Sequence, residues 1–129
     1  MLVNVLGIVP AGFPSPAADY FEEQIDLNKH IQKNPSATFF VRAQGNSMQE
    51  AFIADGALLV VDRSIRAQHG HIVVAVVNGE FTVKRLIKTA GGIFLAPENS
   101  NYKPLHITQD MDFQVWGVVS FIITDAKKV

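Results

Sequence analysis

The segment HIVVAVVNGEFTVKRLI, residues 71–87, holds two runs rich in β-branched side chains on either side of Asn78-Gly79. Both turn residues tolerate a positive φ, so the dipeptide predicts a tight type I′ hairpin joining strands His71–Val77 and Glu80–Ile87. The same texture of short apolar runs broken by Gly, Asn and Asp continues on both sides of the hairpin. It predicts further strands at Thr38–Ala43, Ala57–Asp62, Gly92–Pro97 and Phe113–Ile123, with a second turn at Ala90, Gly91 and Gly92. The expected fold is mainly β.

Upstream the text changes. Met1 to Phe13 read MLVNVLGIVPAGF, an apolar stretch without a basic leader and too short to span a bilayer, which predicts an extended arm lying on a protein surface. Ala11, Gly12, Pro14 and Pro16 mark a non-helical connector. Ser15 as cap and Pro16 at the first position predict a helix start, and Tyr20, Phe21, Ile25, Leu27 and Ile31 follow at roughly helical spacing, as two short helices broken near Asp26. Asn34-Pro35 ends that region. The chain thus divides into an arm at 1–11, a connector with a short helical segment at 12–37, and a β-rich domain at 38–129.

At 129 residues the chain has the length of one domain, and 48% apolar content is enough to bury a core, which excludes wholesale disorder. Eleven basic against twelve acidic side chains give a formal charge of -1, with no cluster of Lys and Arg to track phosphates. Direct sequence-specific DNA binding is therefore not expected. With no cysteine there is no disulfide framework, thiolate nucleophile or Cys-based metal site, which fits a cytoplasmic protein. His69 and His71 flank Gly70 without a third ligand nearby, so they read as turn decoration, and no metal or other cofactor is expected. Trp116 reads as core or dimer-interface packing. The consecutive Phe121, Ile122 and Ile123 suggest a strand covered on both faces, one by a second subunit.

Three places could carry chemistry, and each has an ordinary structural alternative. Ser47 follows Gly45-Asn46, and with Glu50 it matches a Ser-x-x-Glu capping box, so it either caps a short helix or offers a hydroxyl beside free backbone N–H groups. Lys84 shares a strand face with Thr82 and Leu86. If that face is covered, desolvation favours the neutral amine that a general base requires; if open, Lys84 is a solvated lysine. Ala11-Gly12 has the small side chains and extended setting of a scissile bond, and also of a plain connector.

Taken together, AGFPSPAADY from Ala11, PSATFFVRAQGNSM from Pro35, DGALLVVD from Asp55, GEFTVKRL from Gly79 and APENSNY from Ala96 resemble the LexA/UmuD-type family of Ser/Lys self-cleaving peptidases, in order and across Ala11 to Val119. The resemblance implies a LexA/signal-peptidase-like β domain with short N-terminal helices and an extended arm. It implies Ser47 as nucleophile and Lys84 as general base, with the backbone N–H groups of Asn46 and Ser47 as oxyanion hole and Ala11-Gly12 as the bond cut. No third residue is required, because a lysine has no tautomer to fix. It also implies stimulation by the RecA nucleoprotein filament after DNA damage. The product beginning at Gly12 is then a homodimer joining a UmuC-type subunit of a translesion DNA polymerase.

The sequence departs from the family pattern in two places. The arm before Gly12 is short, and Ala57 stands where an acidic residue is common, which puts local support of the Ser47 loop in question. Ala11 itself is the residue that LexA-type relatives carry. Competing classes are a LexA-type repressor, for which the arm is too short to hold a DNA-binding module, a signal peptidase, which calls for a membrane anchor, and an inert dimeric partner module.

Overall fold

A computed structural model describes residues 1–5, 7, 11–12 and 23–128. The chain forms two units, Met1–Lys33 and Asn34–Val129.

In the first unit, β1 (Leu2–Val5) pairs antiparallel with β2 (Glu23–Asp26), Val3 opposite Ile25 and Asn4 opposite Gln24. The extended arm is thus a strand over four residues. β2 corrects the helical reading at Glu23–Asp26, which is paired backbone, while α1 (Leu27–Ile31) is helical. The break expected near Asp26 is real, because the Asp26 carboxylate caps α1 by accepting from the Lys29 N–H at 3.3 Å. The predicted helix start at Ser15-Pro16, with Tyr20 and Phe21, lies outside the described residues. Ala11 and Gly12 form an exposed bend.

The second unit is a mainly β domain. Its strands are β3 (Thr38–Arg42), β4 (Leu58–Asp62), β5 (Ile72–Val77), β6 (Glu80–Thr89), β7 (Gly92–Ala96), β8 (Leu105–Ile107) and β9 (Phe113–Ile123). They form one antiparallel sheet in the order β3-β4-β9-β5-β6-β7-β8. The central hairpin is as the sequence predicts: Val77 pairs with Glu80, and Asn78 and Gly79 take φ of 49° and 83°. β6 runs two residues past Ile87 to meet Gly92 of β7 across Ala90-Gly91. Edge strand β8 was not anticipated, since three residues after Pro104 are too short to show alternation.

Period-two alternation sends the two faces of β5 into different cores. Val74 joins Leu59, Val61, Met48 and Ile53 in one, and Val73 and Ala75 join Leu86, Leu95 and Val118 in the other. The first core lies beneath the loop between β3 and β4, which contributes Ala43, Met48, Ala51, Ile53 and Ala57. β9 sits between β4 and β5 and skips Ser120 and Trp116 in its two registers, so these are its bulged residues. The freed carbonyl of Trp116 accepts from Arg63 Nε at 2.8 Å, and the Arg63 guanidinium lies 4.6 Å over the indole. Phe39 and Phe81 meet the same indole edge-on. Trp116 is thus partly buried against the first core.

Candidate active site

The loop from Ala43 to Ala57 is tied at its base. Ala43 N–H donates to the Ala57 carbonyl at 2.8 Å and Gly56 N–H returns to the Ala43 carbonyl at 2.9 Å. Gly45, at φ +89°, turns the chain out of β3, and its N–H donates to the Asp55 carboxylate at 2.8 Å. Ala57 thus supports the loop through its backbone, and the acidic residue common at that position is not needed for this closure. Met48 and Ile53, 3% and 2% exposed, pin the loop to the core beneath. These anchors leave Ser47 at the rim.

The helix after Ser47 is a single 3₁₀ turn, Gln49–Ala51, whose N-cap is Met48 and which has no side-chain cap. The capping-box reading of Ser47 and Glu50 is therefore incorrect. The serine hydroxyl instead meets Lys84, 37 positions away in sequence: Nζ lies 2.9 Å from Ser47 Oγ. The backbone N–H groups of Asn46, Ser47 and Met48 have no hydrogen-bond partner among the described residues.

Lys84 comes from the middle of β6 and is partly buried, beside Leu86 at 1% exposure. The face is half-covered, and that partial desolvation holds the Lys84 pKa below the ordinary lysine value. Nζ also lies 3.0 Å from Thr82 Oγ1 and 3.0 Å from the Val83 carbonyl. No carboxylate bonds to it among the described residues. A neutral amine has two N–H donors and one lone pair. Val83 O can only accept, Thr82 Oγ1 can accept, and the lone pair is left for the Ser47 O–H. Thr82 was not singled out in the sequence, although its position two residues before Lys84 on the same face was a readable signal.

Two further residues hold the Ser47 loop. Asn99, buried at 6% exposure, donates from Nδ2 to the Asn46 carbonyl at 2.8 Å, while its Oδ1 accepts from Asn101 N–H at 3.0 Å. Tyr102 Oη donates to Asn46 Oδ1 at 2.7 Å. Their role is invisible in a local reading, because it depends on the stretch after β7 returning to the loop before β4. His69 and His71 decorate the turn: their Nδ1 atoms accept from Lys88 N–H at 2.9 Å and Gln68 N–H at 3.1 Å.

Ser47 and Lys84 open into a cleft of about 560 Å³. Val41, Ile53, Val74, Val83, Phe81 and Trp116 form its apolar wall, with Arg42, Gln44 and Gly45 along one side. The fold and site bring together Asn46, Ser47 and Lys84; Ala11 and Gly12 belong to the first unit. No helix among the described residues is long and apolar enough to cross a membrane.

The profile of the Peptidase S24-like family matches residues 4–120. Protein SamA of Salmonella typhimurium is 49% identical over 114 residues, 88% of this chain and 79% of that protein. Protein MucA of Escherichia coli is 44% identical over 113 residues, 87% of this chain and 77% of its own. The LexA repressor of Hahella chejuensis is 36% identical over 119 residues, and there the match spans 90% of this chain but only 59% of the repressor. Matched in profile over most of its length and in sequence to relatives of this kind, the chain belongs to the Peptidase S24-like family of serine peptidases, among its UmuD-type members.

Proposed function

We propose that the protein is a Ser/Lys peptidase that cuts its own chain between Ala11 and Gly12, and that the product beginning at Gly12 is its working form. The observation that carries this reading is the 2.9 Å approach of Lys84 Nζ to Ser47 Oγ, with no carboxylate bonded to the amine.

The chemistry follows from that pair. The lone pair of Lys84 takes the Ser47 proton as Oγ attacks the Ala11 carbonyl carbon. The tetrahedral oxyanion is received by the backbone N–H groups of Asn46 and Ser47. On collapse the C–N bond breaks, the Lys84 ammonium returns its proton to the Gly12 nitrogen, and the arm remains as an ester on Ser47. Water, deprotonated by the same amine, then releases a carboxylate at Ala11 and restores the hydroxyl. Among the described residues β3 is an edge strand, paired with β4 alone, and Val41 to Gln44 run along the cleft. An extended segment finds unpaired backbone groups there.

Membership among UmuD-type proteins supports a role in SOS mutagenesis as an accessory subunit of an error-prone DNA polymerase. Within that role the Gly12 product acts as a homodimer with a UmuC-type subunit in the cytoplasm. Cleavage is stimulated by the RecA filament. The balanced charge of the chain suits a protein that reaches DNA through partners.

The test is to incubate the purified protein at mildly alkaline pH, with and without RecA on single-stranded DNA, and weigh the products. A fragment beginning at Gly12 is expected from the parent and not from Ser47→Ala. Absence of that fragment under both conditions makes the domain an inert partner module.

A further inference from the structure

The β6–β7 ladder ends where Arg85 pairs with Ala96, and the next residue, Pro97, has no N–H to extend it. Glu98 follows, and three contacts converge on it. Its carboxylate forms an ion pair with Arg85 Nε, both side chains about one-third exposed. Its carbonyl accepts from Glu50 N–H at 2.7 Å, and its own N–H points to Met48 Sδ at 3.3 Å. Arg85 is held in turn by a bond from Nη1 to the Gly70 carbonyl at 2.6 Å.

These contacts close a ring. Lys84 and Arg85 are adjacent in β6; Arg85 holds Glu98; Glu98 holds Met48 and Glu50; and Met48 is adjacent to Ser47, whose hydroxyl meets Lys84. We propose that Glu98, through the hydrogen bond its carboxylate accepts from Arg85 Nε, is a positioning residue that sets the spacing of Ser47 and Lys84. The pair takes over from the ladder where it stops, and carries the nucleophile loop in step with the strand that bears the base. Neither side chain touches the reacting atoms. Their effect passes through the Ser47 loop, where a displacement near 1 Å costs roughly 10²-fold in rate.

This rests on the dyad reading above, so the test joins a kinetic measurement to one that needs no turnover. Self-cleavage is timed in the parent, Glu98→Ala, Glu98→Gln and Arg85→Lys. Lys84 is titrated in each by NMR of ¹³Cε-labelled lysine on a Ser47→Ala background, where no cutting occurs. Glu98→Ala should slow cleavage by roughly 10- to 100-fold. It should also move the Lys84 titration towards that of an ordinary lysine, because a loop that drifts from β6 lets water reach the amine. Glu98→Gln keeps an acceptor oxygen for Arg85 Nε and should stay within a few-fold of the parent. Arg85→Lys cannot serve Glu98 and Gly70 together and should fall between.

Parent-like cleavage and a parent-like Lys84 titration in Glu98→Ala would overturn the proposal. So would equal loss in Glu98→Ala and Glu98→Gln, since that loss does not follow the bond to Arg85. Should the parent itself fail to cleave, the peptidase reading falls, while the titrations still report whether Glu98 governs the surroundings of Lys84. Should Glu98→Ala fail to fold, the Glu98→Gln and Arg85→Lys pair still decides.

Discussion

The β5–β6 hairpin and the loop between β3 and β4 each supply half of the dyad, and they are built in opposite ways. The hairpin is regular backbone: paired registers, a two-residue turn and side chains alternating into two cores. The loop has one 3₁₀ turn, and much of its order comes from side chains: the Asp55 carboxylate of the loop itself on Gly45, and from far along the chain Asn99 on the Asn46 carbonyl and Tyr102 on the Asn46 side chain. A strand fixes the base in a desolvated position. A loop leaves the nucleophile at the surface beside N–H groups that no described residue bonds, which a paired strand could not do. Apart from Lys84 itself, changes in the hairpin and its core should therefore move stability, and changes in the loop should move cleavage.

The largest effect tests the dyad across both regions. Ser47→Ala should abolish cleavage, a loss of roughly 10⁴-fold or more. Lys84→Ala should lower it by roughly 10²-fold or more while the fold persists. Mass analysis of timed samples gives both numbers, and normal cleavage by Lys84→Ala would assign the base elsewhere.

Next comes a change confined to the sheet. Leu95, 1% exposed in the core fed by the other face of β5, should cost about 3 kcal/mol when replaced by Ala. Urea unfolding measures this, and the cleavage rate of the folded fraction should remain within a few-fold of the parent. A rate loss as large as that of a dyad variant would mean that the two regions are not separable in this way.

Asn99→Ala makes the complementary change. It removes the hold on the Asn46 carbonyl and should slow cleavage about 10-fold, with about 1 kcal/mol of stability lost. If stability falls steeply and the rate of the folded protein does not, Asn99 belongs to the scaffold.

The smallest effect is one of pH. Lys84 has a folded-state pKa below its unfolded one, so between those two values the unfolded chain binds more protons and stability rises with pH. Below the folded value the full penalty of the buried ammonium remains. Unfolding midpoints of the parent, followed into the alkaline range, should show this rise, and Lys84→Met should lack it. An equal slope in both would leave the amine ordinarily solvated.

The contrast between the two regions also decided what could be read in advance. Strand positions were legible within one or two residues because pairing leaves a period of two and Asn78-Gly79 marks its turn. β8 escaped because three residues carry no period. Glu23–Asp26 reads as helix because Phe21 and Ile25, and Leu27 and Ile31, fall four positions apart, whereas pairing with Leu2–Val5 gives the backbone a non-local partner. At the site, local pattern favours a cap for Ser47 over a nucleophile, and does not say whether the Lys84 face is covered. Only the likeness to Ser/Lys self-cleaving peptidases joined the two residues. Asn99 and Tyr102 stayed hidden because their partners lie more than fifty positions away.

The most direct measurement is the rate at which the fragment beginning at Gly12 appears as pH is raised, in the parent and in Lys84→Ala. The parent rate should climb as the amine loses its proton and level off below the pH at which an ordinary lysine titrates, while Lys84→Ala stays slow throughout. A parent rate that does not depend on pH, or a Lys84→Ala profile that overlays it, would contradict a neutral Lys84 activating Ser47.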